Sequence, residues 1–229
     1  MAAATLIALT IAIGFLGFAI FWFFRLRKKS PSKNSVLLIG PSGSGKTVLL
    51  LHLCGISDVV STVSSMKPQT QTLKGRNGAF PVVDFPGHPR LRPQLVSEYL
   101  NQAKKIVFVI DSTNSAKIRE AAEILYDIFT DPIFDKKGPA VLIACNKCDV
   151  TGSRPPPRIK LSLQDEVDKI RKTRQSIAES NEIGSRIVLG RDGHPFSIDR
   201  DSPVEVQFVA VSAQKGTGVD QISSFMDLV

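Results

Sequence analysis

The sequence predicts an α/β fold, with a mostly parallel sheet covered by helices on both faces, preceded by one transmembrane helix. Short apolar runs alternate with segments of helical periodicity over residues 34–229, and this alternation is typical of parallel sheets. Ahead of them, residues 2–24 form one uncharged apolar run. We therefore divide the chain into a transmembrane helix over 1–24, a basic juxtamembrane linker over 25–33 and one α/β domain over 34–229.

The uncharged run is long enough to cross a bilayer. As a helix at ~1.5 Å per residue it extends about 34 Å, against about 30 Å of hydrocarbon. Trp22 lies near its end, where interfacial aromatic residues gather. The alternative is a cleaved signal peptide, which typically begins with basic residues and has a shorter apolar run. Because the basic residues follow the run, the positive-inside rule places residues 25–229 in the cytosol.

The positive charge of the chain is concentrated in the linker. The formal net charge is +8, and the sequence has no acidic residue before Asp58. The linker cluster consists of Arg25, Arg27, Lys28, Lys29 and Lys33. Removing these five from the 29 basic residues leaves 24, against 21 acidic residues, in the domain. A domain that is close to neutral does not indicate a nucleic-acid surface, so no direct nucleic-acid partner is predicted.

Apolar runs and helical spacing predict the elements of the domain in order. The predicted strands are Val36–Ile39, Pro81–Asp84, Ile106–Ile110, Val141–Ala144 and Val204–Val211. The predicted helices are Lys46–Cys54, Ala116–Phe129, Leu163–Glu179 and Val219–Leu228. Three consecutive prolines place Thr151–Lys160 in an extended surface connection, and the mixed composition of Arg186–Ser202 indicates a solvated loop.

A phosphate-binding pattern follows the first strand directly. The pattern G-x-x-x-x-G-K-T needs glycines because backbone N–H groups must curl around phosphate oxygens. The lysine is expected to contact the β- and γ-phosphates, and the threonine to ligate Mg²⁺, at the positive end of a helix. The predicted nucleotide-binding residues of this loop are Gly40, Pro41, Ser42, Gly43, Ser44, Gly45, Lys46 and Thr47.

The second predicted strand ends in Asp-Phe-Pro-Gly-His. Asp84 is placed to hold Mg²⁺, and Gly87 can bring its backbone N–H close to a γ-phosphate because it has no side chain. A hydroxyl that closes over this phosphate is expected between the first two motifs, and the hydroxyl residues there are Thr62, Ser64, Ser65, Thr70 and Thr72. The spacing favours Ser64 or Ser65, and we predict Ser65 as a further Mg²⁺ ligand.

Asn-Lys-Cys-Asp after a later strand predicts that the base is guanine. Asp149 can accept from both N1–H and the exocyclic amine of guanine, whereas adenine has no such pair of donors. Asn146 belongs to the same motif, and the stem of Lys147 is expected to lie along the base. Ser212 and Ala213 follow the last strand, where the N–H of Ala213 can meet the guanine carbonyl oxygen.

The same segment contains a C-x-x-C pair, Cys145 and Cys148. This spacing also occurs in redox and zinc sites. The sequence has three cysteines in all, so no second pair is present to complete a zinc site. The guanine motif accounts for the segment better, because Cys148 then stands at its variable position.

These motifs, in this order, identify the chain as a member of the GTPase superfamily. Val107–Thr113 resembles the Arf/Sar branch. The single N-terminal anchor, the run from Asp84 to Arg92 and the segment Ile143–Asp149 together resemble the signal recognition particle receptor β subunit family. The resemblance implies a P-loop GTPase fold, GTP and Mg²⁺ as cofactors, and a single-pass endoplasmic reticulum protein with a cytosolic domain. It also implies GTP-dependent tethering of the receptor α subunit for cotranslational protein targeting.

One feature leaves alternatives open. His88 occupies the position where many GTPases place a water-orienting glutamine. It either positions a catalytic water or is an ordinary loop side chain. A cycling GTPase of the Arf/Sar type in membrane trafficking is therefore the second hypothesis. An ATP-using kinase or ATPase is a third hypothesis, and Asn146–Asp149 argues against it.

Overall fold

The structure is a computed structural model in which residues 35–56, 67–91, 93, 98–132, 134, 138–181, 189–191 and 193–228 are described. All of them belong to one compact unit, Ser32–Val229. The predicted transmembrane helix and basic linker lie outside the described residues, as do Thr62, Ser64 and Ser65. Within the described part of the chain, none of the helices has the length and apolar character needed to span a bilayer.

A six-stranded sheet forms the centre of the domain. Its strands are β1 (Ser35–Ile39), β2 (Gln69–Gly75), β3 (Gly78–Asp84), β4 (Ala103–Asp111), β5 (Ala140–Asn146) and β6 (Val206–Ala210). The order across the sheet is β2-β3-β1-β4-β5-β6. β2 and β3 pair antiparallel as a hairpin, and all other neighbours are parallel. The prediction of a mostly parallel sheet is confirmed.

Helices cover the sheet on both faces. They are α1 (Lys46–Leu53), α2 (Ala116–Phe129), α3 (Pro156–Asn181), the short α4 (Ile198–Asp201) and α5 (Val219–Met226). α2 and α3 pack on one face, and α1 and α5 on the other. The bounds predicted for α2 are confirmed, because its buried side chains recur at helical spacing.

The central strands are apolar over their middle positions because both of their faces are covered there. In β4, Phe108 and Ile110 pack toward α2 and α3, while Val107 and Val109 pack toward α1 and α5. All four side chains are fully buried. The rigid sheet that results presents the carboxyl ends of β1, β3, β4, β5 and β6 at one edge, where parallel α/β sheets bind ligands.

Helix α3 begins at Pro156, directly after Pro155. The prediction of an extended surface connection over Thr151–Lys160 is therefore wrong for residues 156–160. The carbonyl of Pro155 accepts from the N–H groups of Arg158 and Ile159. Proline is tolerated in the first turn because the N–H groups there have no partner within the helix. Ile159 is fully buried against the sheet, which makes this early start part of the core.

The hairpin strand β2 was not predicted, and β3 begins earlier than predicted. β2 is an edge strand with mostly exposed polar side chains, of which Leu73 is buried, so it has no apolar run. The expectation that Pro81 opens its strand is wrong, because β3 begins at Gly78. Pro81 pairs with Thr72 of β2, and pairing with β1 starts only at Val82, so the missing N–H is tolerated near the sheet edge.

The segment 186–202 is not a solvated loop over its described part. Leu189, Phe196 and Ile198 are at most 4 % exposed and join the core beside α3. The buried guanidinium of Arg171 donates to the carbonyls of Arg191 and His194 at 3.1 and 2.6 Å. Its charge is balanced by Asp168 at 2.8 Å. An arginine of α3 therefore satisfies two backbone carbonyls that lie outside any helix or strand.

We predict that Phe196→Ala lowers the free energy of unfolding by about 3–5 kcal/mol, because it removes a buried ring and leaves a cavity. Leu161→Ala is the matched control, since Leu161 is 60 % exposed and should cost less than about 0.5 kcal/mol. Urea denaturation followed by circular dichroism measures both changes. Equal midpoints for the two variants would show that the segment does not stabilise the core.

Candidate nucleotide-binding site

The predicted site residues that the structure describes meet at the carboxyl edge of the sheet. The loop after β1 carries the phosphate-binding pattern, the loop after β3 carries Gly87 and His88, and the loop after β5 carries Lys147 and Asp149. The loop after β6 carries Ser212. Parallel strands end at this edge by topology, so motifs far apart in sequence become neighbours.

Two glycines of the phosphate-binding loop are required by its backbone. Gly40 has φ +143°, and a Cβ there would lie 2.1 Å from the carbonyl oxygen of Val109. Gly45 has φ +93°, and its Cβ would lie 2.2 Å from Nδ2 of Asn146. A side chain at either position would displace a neighbouring strand end. The loop then enters α1 at Lys46, so the first N–H groups of the helix are directed at the site.

Lys46 lies inside the loop and is 6 % exposed. Its ammonium donates to the carbonyls of Gly40 at 3.0 Å and Pro41 at 2.9 Å. Burial lowers the pKa of Lys46 to about 8, and Asp84 opposes this by favouring the charged form. A phosphate in the loop would favour the charged form of Lys46, which burial disfavours. The geometry therefore fits the predicted role in phosphate binding.

Thr47 and Asp84 provide the oxygen ligands expected of a Mg²⁺ site. The hydroxyl of Thr47 donates to Oδ2 of Asp84 at 2.5 Å, so the two oxygens point at one place. Asp84 is 1 % exposed, and burial raises the pKa of its carboxyl. Mg²⁺ prefers such hard oxygen ligands, usually one or two from protein with phosphates and water completing the shell. These two residues fit that donor set.

The loop after β3 lies directly against the phosphate-binding loop. A Cβ on Gly87 would lie 2.4 Å from the backbone nitrogen of Ser42, so the close approach requires glycine. Nδ1 of the half-buried His88 accepts from the N–H of Arg90 at 3.2 Å. With Nδ1 used in this bond, Nε2 is the ring nitrogen that a water could contact. Both interpretations of His88 stay open.

Asn146 joins two loops of the site. Its Nδ2 donates to the carbonyl of Ser44 at 2.8 Å, and its Oδ1 accepts from the N–H of Ala213 at 2.9 Å. The side chain is 2 % exposed. The N–H of Ala213, which the sequence analysis assigned to the guanine carbonyl oxygen, therefore already has a protein partner. One amide fixes the distance between the phosphate loop and the loop after β6.

Asp111 at the end of β4 is a site residue that the sequence analysis missed. Its Oδ2 accepts from the ammonium of Lys147 at 2.5 Å, and its Oδ1 accepts from the hydroxyl of Thr113 at 2.6 Å. Lys147 has φ +63°, which directs its stem across the loop toward Asp111. The available signal was position, since an acidic residue that ends a buried central strand lies at the ligand edge of the sheet.

Asp149 is held as a carboxylate ready to accept hydrogen bonds. The hydroxyl of Ser212, followed by the charge of Lys215, keeps the pKa of Asp149 below its ordinary value. Lys215 lies 3.6 Å away, and the Asp149 side chain is 17 % exposed. The N–H of Cys148 donates to the carbonyl of Val211 at 3.0 Å and ties the two loops together. An ionised carboxylate at a partly open position fits recognition of guanine N–H groups.

The cysteines of the C-x-x-C pair are free thiols. Cys145 is fully buried, and burial raises the pKa of its thiol to about 12, whereas reactive cysteines have lowered values. Within the described ranges no group of three or more His, Cys, Asp or Glu side chains is arranged to hold a metal ion. The redox and zinc hypotheses therefore gain no support.

We predict that Asn146→Ala weakens nucleotide binding by roughly thirtyfold, because two buried hydrogen bonds worth about 1 kcal/mol each are lost. Cys148→Ser is the control, since it changes the same loop and leaves the backbone bond to Val211 in place. Equilibrium titration with a fluorescent guanine nucleotide gives both affinities. Unchanged affinity in Asn146→Ala would show that the link between the loops does not support binding.

Comparison with known proteins identifies relatives over most of the chain. A family model described as the signal recognition particle receptor beta subunit matches residues 31–204. The mouse receptor subunit beta is 30% identical over 91% of this chain and 79% of its own length. The human protein is 30% identical over 98% and 84%, and the Saccharomyces cerevisiae protein is 36% identical over 70% and 66%.

Solved structures show the same fold. The mammalian signal recognition particle receptor structure has a TM-score of 0.73 at 28% identity, and covers 86% of this chain and 100% of its own. The Arl6 small GTPase from Trypanosoma brucei has a TM-score of 0.58 at 18% identity, covering 84% and 94%, and shows the fold alone. The chain therefore belongs to the signal recognition particle receptor β subunit family, whose GTPase fold is related to the Arf/Sar proteins.

Proposed function

We propose that this chain is the membrane-anchored, GTP-binding subunit of a signal recognition particle receptor, which tethers the α subunit at the endoplasmic reticulum for cotranslational targeting. The observation that carries GTP binding is the meeting of the phosphate loop, the Thr47–Asp84 pair and the Asp149 carboxylate at one sheet edge. Tethering rests on the family, whose members are named as receptor β subunits.

The nucleotide in this proposal is GTP with Mg²⁺. The phosphate loop and Gly87 hold the phosphates, Asn146 and Ala213 maintain the spacing between loops, and Asp149 selects guanine. Two structures of SRb from Chaetomium thermophilum are known, one as an SRb-GTP/SRX complex and one as SRb-GDP-Mg. One of Thr62, Ser64 and Ser65 supplies the closing hydroxyl, with Ser65 as the proposed Mg²⁺ ligand.

The membrane part of the proposal rests on sequence. Residues 1–24 span the bilayer once, and the basic residues of 25–33 keep the domain in the cytosol. A spanning helix is a permanent attachment, so GTP is not needed to control membrane association. We infer that GTP instead orders the loops that the α subunit contacts, namely 62–65 and 85–92, because a partner binds tightly only to a surface already formed.

The second candidate is a cycling GTPase of the Arf/Sar type. ADP-ribosylation factor J of Dictyostelium discoideum is 30% identical over 53% of this chain. The observation in its favour is Nε2 of His88, which remains for a water beside the phosphate loop. In that function His88 positions the water that attacks the γ-phosphate. The rate of GTP hydrolysis in the His88→Ala variant, compared with the unchanged protein, separates the two candidate functions.

The base is tested by Asp149→Asn. We expect GTP affinity to fall by roughly a hundredfold, because a charged acceptor of hydrogen bonds worth about 3 kcal/mol is lost. Affinity for xanthosine triphosphate should rise, since the new amide can donate to the added carbonyl. Asp199→Asn on α4 is the control, because Asp199 pairs with Lys160 of α3 and not with a residue of the candidate site. Competition binding reports the ranking, and displacement of GTP by ATP at equal concentration in the unchanged protein contradicts the assignment.

The role of GTP is tested by α-subunit capture. We expect the GTP-bound protein to capture the α subunit at least about tenfold better than GDP-bound or nucleotide-free protein, a coupling of about 1.4 kcal/mol. Lys46→Ala should lose capture together with nucleotide, whereas His88→Ala should retain it.

Single-turnover hydrolysis is measured on the same variants. Equal capture in all nucleotide states removes the proposed role of GTP. Fast hydrolysis without a partner that disappears in His88→Ala favours the cycling GTPase instead.

A further inference from the structure

The end of the sheet opposite the nucleotide site carries an exposed basic cluster. The β2–β3 turn lies there, and Lys74 and Arg76 are exposed at and beside it. Lys104, near the start of β4, is exposed at the same end. We call Lys74, Arg76 and Lys104 the basal cluster. Lys74 lies on β2, Arg76 in the turn and Lys104 on β4, so tertiary structure places Lys104 at the same end as the hairpin residues.

The one carboxylate beside the basal cluster, among the described residues, is already paired. Oδ2 of Asp227 accepts from the ammonium of Lys105 at 2.5 Å. The Lys105 hydrogen bond is the first cause of a lowered pKa at Asp227, with Lys104 and Arg76 adding nearby positive charge. Asp227 is therefore neutralised by Lys105, and the basal cluster keeps its net positive charge.

The backbone around the basal cluster is held in place. The carbonyl of Asp227, which follows α5 with φ +65°, accepts from the N–H of Arg76 at 2.9 Å. Lys105 also donates to the carbonyl of Phe225 at 2.6 Å. Between the turn and α5 lies a cavity of about 130 Å³, lined in part by Asn77, Gly78 and Lys104. The surface thus combines fixed backbone, positive charge and a recess.

The chain enters the domain at this end. β1 begins at Ser35, and Val36 both pairs with Lys105 and lines the cavity. Residues 25–34 separate β1 from the apolar run, and ten residues reach at most about 36 Å when extended. Acidic residues at the same end include Glu205 before β6 and Asp131 after α2, and neither belongs to the β2–β3 hairpin or to β4. Among the described residues, Lys74, Arg76 and Lys104 therefore lie at the end where the chain enters the domain.

We propose that the basal cluster binds anionic phospholipid headgroups, so that the domain rests on the bilayer through the β2–β3 turn. This inference rests on the membrane anchor of the proposed function. Basic side chains near an anionic leaflet are attracted to it within a Debye length, and the short linker keeps them there. The nucleotide edge then faces away from the membrane, toward a protein partner.

The test uses the full chain in nanodiscs that hold one copy each, so that self-association is excluded. Discs contain phosphatidylcholine alone or with phosphatidylglycerol, neither of which has an amine. Amine-reactive footprinting with mass spectrometry measures Lys104. We expect its modification to be slower by about fivefold in anionic discs, which corresponds to about 1 kcal/mol for one basic side chain near the surface. Lys215, in the loop after β6 at the nucleotide edge and 64% exposed, is the internal control and should not change.

Variants make the test specific to the cluster. Arg76→Glu should remove the protection of Lys104, whereas Arg119→Glu, a matched reversal at a side chain 75% exposed on α2, should keep it. Equal modification of Lys104 in the two lipids overturns the proposal, because the contact would then not depend on headgroup charge. Failure of the chain to enter discs would instead contradict the proposed anchor, and is scored separately by co-purification.

Discussion

The nucleotide site depends on the buried amide of Asn146. Its Nδ2 and Oδ1 bind the carbonyl of Ser44 and the N–H of Ala213, which lie on loops after different strands. A carboxamide has both a donor and an acceptor, so no apolar or acidic side chain of similar size can satisfy both loops. The loops after β1, β5 and β6 therefore keep one relative position, which fixes the distance between the candidate phosphate-binding and base-binding groups. Such preorganisation lowers the cost of binding.

Two buried charged groups of the candidate site favour the binding of a charged ligand. Lys46 and Asp84 are almost completely buried, and burial disfavours the charged form of both. Within the protein their charges are offset by two backbone carbonyls and by the hydroxyl of Thr47. Phosphate and Mg²⁺ would supply much stronger partners. Ligand binding and stability are therefore linked, because anything that binds only the folded state stabilises it.

The two ends of the sheet have different chemistry. The carboxyl edge collects the loops with Lys46, Asp84 and Asp149, and these loops are joined to one another by hydrogen bonds. The opposite end is closed by the C-terminal residues, where Asp227 contacts the β2–β3 turn and Lys105. Because β3 runs from that turn to Asp84, the hairpin connects the two ends directly. A parallel sheet separates them by the length of its strands, so the proposed membrane contact and the proposed protein partner would use different surfaces.

The motifs, their order and the alternation of elements could be predicted from the sequence, because each rests on contacts within a few residues or on the period of a strand or helix. Asp149, Lys46 and Thr47 were predicted in this way, as was the extent of α2. Tertiary structure alone decided the rest. The polar edge strand β2 is held by its pairing with β3, and Phe196 packs into the core in a segment whose backbone Arg171 satisfies. Asp111 joins the site through Lys147, which is 36 residues distant in sequence. Such partners lie beyond any local pattern, since they are brought together by chain topology.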